Sequence, residues 1–551
     1  MVQIRRFSYV MILLLLSANM AAGQNIKDRQ FALSKNLDVF NSLFRELDAF
    51  YVDTLNYQKV IRSGIDNMLD GLDPYTVYMP QEETDDLKLM TTGEYAGVGA
   101  YIGGKPGEVF ISELYQGKPA EQAGLKAGDV LLYLDDISLK DKSTTEVSAL
   151  LKGQPKSVVK IKFQRPGEAK PRTVEVQREK ITINPVTYYG VIGNNTGYVL
   201  LSDFTDNAAE EMRNALLDLK NRYHVTSLVI DLRENPGGII DEAIKMVGYF
   251  IPKGTEVVAT RGKLKQWDRT YQTMNEPILP EIPLTVLVSQ NTASAAEILS
   301  GALQDLDRAV IVGVRTFGKG LVQNIRPLPY NGHLKVTIAK YYIPSGRCIQ
   351  AIDYSTRTDD GSPIRVPDSL THEFKTKIGR PVRDGGGIRP DVEVKDSSQL
   401  NIAYYLYSQN LIFDFVTRYA QTHASIVEPE KFTLTDADYA QFKKFVKDKN
   451  FTYTLQSEKA LTNLINTAKM EGYSDVADDD FKALTIKLTP NIDKGLDLFH
   501  KDITRLLEAE IVKRYYYQQG MVRYSLREDK TVSKAEELLK DMGAFNKILG
   551  K

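Results

Sequence analysis

Cysteine is almost absent. Cys348 is the only one in 551 residues, so no disulfide forms within the chain and the fold must stand on its hydrophobic cores. Histidine is scarce as well: His224, His333, His372, His423 and His500 show no HExxH pattern and no spacing suited to metal ligation. No metal site and no cofactor is therefore expected. Four of the five stand in no glycine-rich or nucleophile signature, and His333 lies in the turn-like YNGH, so surface or structural histidines are expected rather than the base of a Ser–His–Asp triad. An excess of one charge sign is also missing. A formal net charge of −1 gives no electrostatic case for nucleic acid or an anionic membrane surface. No apolar run reaches the ~20 residues of a bilayer-spanning helix, and neither repeats nor low-complexity tracts occur.

What is present is the composition of a globular protein, 42% hydrophobic and 26% charged, long enough for three or four domains. Arg5 and Arg6 precede the apolar run VMILLLLSA and then the small residues AAG before Gln24. That order describes a secretory signal peptide over residues 1–23. A membrane anchor is the alternative, but the run is short for one. No cysteine follows the run to carry a lipid. The mature protein is expected to be exported to the periplasm, soluble or peripherally membrane-associated.

Residues 24–92 carry helical patterns: Leu33, Leu37, Phe40, Phe44, Leu47 and Tyr51 are spaced three and four apart, and VIRSGIDNMLDGL follows, ended by Pro74. Over 93–180 glycines crowd GEYAGVGAYIGGKPGEVF, and the short β-branched runs VFISEL, DVLLYLDD, SVVKIKFQR and RTVEVQRE suggest a compact, partly open barrel. Over 181–398 strands (GYVLLS, SLVIDL, LTVLVS, AVIVGV) alternate with helices (NAAEEMRNALLDLKNRY, IIDEAIKMVGYF, SAAEILSGALQDL), the rhythm of a largely parallel, helix-covered sheet. HLKVTIAKYYIP adds a strand, and Asp353–Gly387 reads as surface loop. Residues 399–551 are helical, with aromatic stripes that read as core or subunit interface.

Three segments carry chemistry. GVRTFGKG, Gly313–Gly320, is one residue short of a nucleotide-phosphate loop, but Gly320 stands where that loop's Ser or Thr would hold Mg²⁺, which argues against nucleotide binding. In LVSQNTASAAEILSGALQD, Ser294 falls between a buried strand and a patterned helix. There it serves either as a helix cap, with Glu297 completing a capping box, or as a nucleophile beside N–H groups suited to an oxyanion. The next strand runs out at RTFGKGLVQ, so Lys319 can reach the same sheet edge. A neutral lysine can take a serine proton, provided that burial lowers its ordinary pKa of about 10.4. Phe317, Leu321 and Val322 flank it, and Gln323 can orient the amine. DLRENPGG, Asp231–Gly238, is either a plain strand-to-helix turn or a source of oxyanion donors.

Together these stretches resemble the carboxy-terminal processing peptidases (tail-specific proteases) of serine–lysine peptidase family S41. LDPYTVYM, DLRENPGG, NTASAAEILSGALQDLDRAVIVGVRTFGKGLVQ, KYYIPSGRCIQ and GGGIRPDVEV carry the likeness over about residues 30–395. The resemblance implies an α/β multidomain protein, with a ClpP/crotonase-like core, an inserted PDZ domain and helical terminal regions. It implies Ser294 as nucleophile, Lys319 as general base and Gln323 as its support, with oxyanion donors from Ala295 and from a glycine of the PGG turn, Gly238. The family's SASASE reads TASAAE here, with Thr292 and Ala296 in place of the outer serines. The glycine-rich module resembles a PDZ domain through AGVGAYI and KPAEQAGLKAGDVLLYLDD. Its Val98, Gly99 and Ala100 N–H groups would hold a terminal carboxylate, and Val147 with Leu150 or Leu151 would meet the last side chain. A PDZ domain kept as a lid, or for other partners, is the alternative. The expected function is an endopeptidase that captures proteins by apolar carboxyl termini. The rival is a catalytically silent PDZ scaffold or chaperone-like binding protein. Subunit pairing through the terminal helices and an adaptor or activating protein are further expectations.

Overall fold

The computed structural model describes residue 28 and residues 30–83, 88–89, 91–358, 361–395, 401–473 and 475–551. The expected signal peptide lies outside the described residues. The described residues divide into two compact units, one up to Tyr78 and one from Met79.

In the first unit, α1 covers residues 30–50 and α2 covers Tyr57–Asp70. The periodic face of α1 is real but uncovered: Leu33, Leu37 and Phe40 are exposed. Asn56 caps α2 by accepting the Lys59 N–H. The helix stops before Pro74, because the Asp73 carboxylate accepts the Tyr75 and Thr76 N–H groups at 2.9 and 2.8 Å and sets a turn there.

The second unit begins with the glycine-rich module. Its strands are β1 (Glu94–Gly97), β2 (Ala100–Lys105), β3 (Glu108–Leu114), β4 (Val130–Leu134), β5 (Val158–Gln164), β6 (Arg172–Gln177) and β7 (Glu179–Thr182). Strands β2 to β6 form one sheet in that order, over a core of Val109, Ile111, Leu131, Val159, Ile161 and Phe163. Helix α3 (Thr144–Leu151) packs on it and starts from a complete Ser143/Glu146 capping box. The chain enters and leaves along β1 and β7, which pair antiparallel from Glu94↔Thr182.

The next sheet has six strands: β8 (Val186–Ile192), β9 (Thr196–Leu201), β10 (Ser227–Asp231), β13 (Leu284–Val288), β14 (Val310–Gly313) and β17 (Val392–Glu393), side by side in that order. All pairs but β8–β9 are parallel. Strands β10 and β13 are buried at every residue, as a parallel sheet covered on both faces requires. Because side chains alternate across a sheet, Leu228 and Ile230 face one core and Val229 the other. The first face carries α4 (Ala208–Asn221), α5 (Ile240–Val247) and α6 (Ala295–Asp305). An antiparallel layer pairs β15 (Leu321–Pro327) with β16 (His333–Tyr342), β16 with β11 (Glu256–Gly262), and β11 with β12 (Arg269–Gln272).

Two expectations change. Asp353–Gly387 is not plain loop: it holds the small hairpins Ile352–Arg357/Pro363–Arg365 and Glu373–Lys375/Pro381–Arg383. The second is fixed to the parallel-sheet body by Arg380, which donates to Asp307 at 2.6 Å and Asp391 at 2.7 Å. Nor do all the carboxy-terminal helices form one separate body. Helices α7 (Leu411–Thr422), α8 (Asp436–Asp448) and α9 (His500–Ser525) share a core around Phe415, Phe442 and Leu507. The last two helices, α10 (Lys530–Lys540) and α11 (Met542–Ile548), instead return to cover the parallel sheet's second face. Val532, Ala535, Leu538 and Phe545 pack there on Tyr198, Val229, Leu287, Val310 and Val312. The module docks on the α7–α9 body through Phe110 and Phe413, whose rings lie 4.8 Å apart, and through Gln518, which donates to Glu113 at 2.7 Å. Among the described residues no helix is long and apolar enough to cross a membrane.

Candidate active site

Ser294 stands at the start of α6 with φ 57° and ψ −117°. An L-residue at positive φ is uncommon, and an ordinary N-cap does not need it: Ser143 caps α3 at φ −71°, ψ 158°. The strain is held by partners. The Ser294 N–H donates to Glu297 at 2.9 Å, and its carbonyl accepts the hydroxyl of the buried Tyr341 at 3.1 Å. Gly237 packs so close that a Cβ there would lie 2.7 Å from the Ser294 Cβ and 2.9 Å from the Ala295 nitrogen.

Lys319 is half-buried in the connection from β14 to β15. The glycines on either side are forced: a Cβ on Gly318 would come within 2.3 Å of the Ala351 Cβ, and one on Gly320 within 2.8 Å of the Gln350 nitrogen. Of the expected apolar neighbours, Leu321 is buried and Val322 packs against the core, but Phe317 is exposed. Thr316 and Gly318 on either side of it are buried.

Glu297 ties the two loops together, a role the sequence showed only as half of a capping box. Its carboxylate is fully buried. Oε2 accepts the N–H of both Ser294 and Lys319, each at 2.9 Å, while Oε1 accepts the Thr316 hydroxyl at 2.5 Å and the Gly318 N–H at 2.8 Å. The backbone nitrogens of Ser294 and Lys319 therefore lie within two hydrogen-bond lengths of each other. Burial pushes the Glu297 carboxyl up to about 7, against the pull of these four donors. Thr316 also accepts the Ile388 N–H at 2.6 Å, so its proton is committed to Glu297. Thr292 is a second hub. Its hydroxyl donates to the Leu232 carbonyl at 2.8 Å, and its carbonyl accepts the Phe317 N–H at 3.0 Å.

The Asp231–Gly238 turn is laced to the Ser294 loop by Ala293 N–H to Asn235 C=O at 2.9 Å and by Asn291 to Glu234 at 2.6 Å. In this turn the Gly237 N–H is spent on Asn235 Oδ1 at 2.9 Å. Gly238 bridges Phe204 in parallel fashion through the flanking Gly237 carbonyl and Ile239 N–H, which turns its own N–H away from Phe204. Among the described residues neither the Gly238 N–H nor the Ala295 N–H meets an acceptor. Gln323 is half-buried, at a bulge where β15 shifts register against β16, and its amide donates to Thr337 Oγ1 at 3.1 Å.

In the glycine-rich module, the Val98 and Gly99 carbonyls accept the Ala120 and Tyr115 N–H groups at 2.9 and 3.1 Å, and Gly99 has φ +77°. Both carbonyls thus face the module, while no described acceptor meets the Val98 or Gly99 N–H. Ala100 opens β2, an edge strand with α3 alongside. Leu150 is half-buried, whereas Val147 has 0% of its surface exposed and Leu151 is also buried. Val147 therefore belongs to the module's core and presents no free surface. A helix turn separates it from Leu150, and only one of the two reaches the rim.

Comparison with known proteins places these parts. Residues 195–360 match the model of peptidase family S41, residues 110–165 that of a PDZ domain, and residues 402–539 that of the "probable PDZ-protease, C-terminal helical domain". Ser294, Lys319, Gln323, Gly238 and Ala295 fall within the first, while residues 98–100 precede the second. A carboxy-terminal-processing protease of Bartonella bacilliformis is 33% identical over 385 residues, 68% of this chain and 88% of that protein. A probable CtpA-like serine protease of Staphylococcus aureus is 33% identical over 319 residues, 57% of this chain and 62% of that one. Among solved structures, a photosystem II D1 C-terminal processing protease is 28% identical over 65% of this chain and 92% of its own, with a TM-score of 0.34. This chain belongs to peptidase family S41: it is a serine peptidase of the carboxy-terminal-processing kind, with a PDZ domain and the helical carboxy-terminal domain of PDZ-proteases.

Proposed function

We propose that the protein is an exported endopeptidase that takes polypeptides by an apolar carboxyl terminus and cuts them with Ser294 and Lys319. The observation that carries this reading is the shared Glu297 oxygen, which binds the backbone N–H of both residues at 2.9 Å. Two loops that are distant in sequence thereby converge at the positive end of α6.

In the proposed reaction the uncharged Lys319 amine takes the Ser294 Oγ proton as Oγ attacks the substrate carbonyl carbon. Negative charge gathers on the carbonyl oxygen, where the Ala295 and Gly238 N–H groups donate to it. The Lys319 ammonium returns the proton to the leaving amine, and the peptide bond breaks to leave an ester on Ser294. Water, deprotonated by Lys319, then attacks the ester, and the ammonium returns the proton to Ser294 Oγ as the C–O bond breaks and the acid is released. Gln323 is proposed to orient the amine from β15. At the PDZ domain, the Val98, Gly99 and Ala100 N–H groups receive the terminal carboxylate. The substrate adds a strand to the free edge of β2, and Leu150 meets its last side chain.

The test uses the purified protein and a polypeptide ending in apolar residues. Ser294→Ala and Lys319→Ala should each abolish cleavage while the tail still binds. Equal cleavage by both variants and the parent would remove the dyad from the reaction.

A further inference from the structure

The turn that carries Gly238 is anchored on two sides. On the nucleophile side, Glu234 and Asn235 are held by Asn291 and Ala293. On the other, Arg233 runs outward to an acidic pair. Its guanidinium donates to Asp231, Nη2 at 2.5 Å and Nε at 3.0 Å, and reaches Asp529 with Nη1 at 3.1 Å and Nη2 at 2.7 Å. Asp231 is buried at the end of β10 and also accepts the Tyr198 hydroxyl at 2.7 Å. Asp529 comes from almost 300 residues further along the chain, at the start of α10, where its carboxylate accepts the Thr531 and Val532 N–H groups at 2.9 and 3.0 Å.

Asp529 is a fixed point. It caps a helix whose Val532, Ala535 and Leu538 are buried against the parallel sheet, so the carboxylate cannot shift without moving that face. Glu234, held by Asn291 and next in sequence to Arg233, is a non-glycine residue at φ 62°. A residue in that region stays there only while its surroundings hold it, and here the hold comes from both neighbours.

We propose that Asp529 is a positioning residue of the peptidase site: acting through Arg233, it sets the turn that aims the Gly238 N–H, so the carboxy-terminal helical domain contributes to catalysis. This rests on the reading of Gly238 as an oxyanion donor and Ser294 as nucleophile. Asp529 touches no reacting atom. It and Arg233 form one link, and a small displacement of a donor from the developing oxyanion is enough to slow acylation.

Asp529→Asn separates the two jobs of the side chain. Asparagine caps a helix as well as aspartate does, so α10 keeps its start while Arg233 loses a charged partner. Steady-state cleavage of a tailed polypeptide by the full chain should show kcat about tenfold lower, with KM within twofold and an unchanged circular dichroism spectrum. Arg233→Lys, which loses the two-pronged geometry, should behave alike. The double variant should be no slower than the slower single, because both break one link. A kcat within twofold of the parent for Asp529→Asn, a loss confined to KM, or losses that multiply in the double variant would each overturn the inference. Ser294→Ala, assayed in parallel, keeps the two claims apart. If it still cleaves, the site reading has failed; if it is dead while Asp529→Asn is unimpaired, only this inference has.

Discussion

Gly237 and Glu297 set the tolerance of the site at the scale of single residues. A methyl group at 237 would lie 2.7 Å from both the Ala293 carbonyl oxygen and the Ser294 Cβ, on a backbone at φ +101°. Two of those neighbours are main-chain or first-carbon atoms that cannot swing aside. Gly237→Ala should therefore displace Ser294 and lower cleavage by on the order of 100-fold, with tail binding intact in a peptide titration. Glu297 makes a different prediction, in pH. Burial raises its carboxyl from the ordinary 4.5 to about 7, so the native state holds the proton more tightly than the unfolded chain between those values. Stability contributed by this group is present below pH ~4.5 and falls as pH rises through 7, by roughly 3 kcal/mol in all. Urea unfolding at pH 5 and pH 8 should show that decline in the parent, and a smaller one in Glu297→Gln. Equal slopes would mean that the carboxyl titrates as if exposed.

At the scale of elements, much of the architecture was legible because periodicity reports which face of an element is buried. AVIVGV and SLVIDL became buried parallel strands, and SAAEILSGALQDL became the helix behind Ser294. Periodicity does not name the partner. The stripe Val532, Ala535, Leu538 reads as an apolar face, but nothing local says that it lies on strands more than 200 residues earlier. Glu297 was visible at i+3 from Ser294, yet its bonds to Thr316, Gly318 and Lys319 cross 19 to 22 residues and follow only from the fold. The same limit mixed Val147 with Leu150 on α3. They are three apart on one helical face, and the depth of each is set by the sheet beneath. This yields a pair of opposite outcomes. Val147→Ala empties space in a filled core and should destabilise the module by about 2 kcal/mol. Leu150→Ala, only half-buried against that core, should lower its unfolding midpoint less and weaken the binding of an apolar-tailed peptide. Calorimetry of both variants, in unfolding and in titration, reads the two effects separately.

For the whole molecule, the position of the last helices decides what the carboxy-terminal region is for. An extension appended to a finished protease would leave the parallel sheet covered without it. Here Leu287, Val310 and Val312 are buried under α10 and α11, and a parallel sheet bare on one face is not a stable arrangement. The helical hairpin over Gln456–Met470 and Asp478–Leu488 is unlike them. Its second helix buries no residue, and Leu464 on the first is 55% exposed. The two parts should respond oppositely to the same change. Leu538→Asp places a carboxylate among apolar side chains that offer it no partner. It should cost several kcal/mol, enough to remove folded, active enzyme, and a chain ended at Glu528 should fail in the same way. Leu464→Asp puts the same charge into water and should shift stability by less than about 0.5 kcal/mol, with cleavage unchanged. Yield of folded protein, its thermal midpoint and its cleavage rate distinguish the two cases. If the chain ended at Glu528 folded and cut normally, α10 and α11 would be accessory and the second face of the sheet would be stable without them.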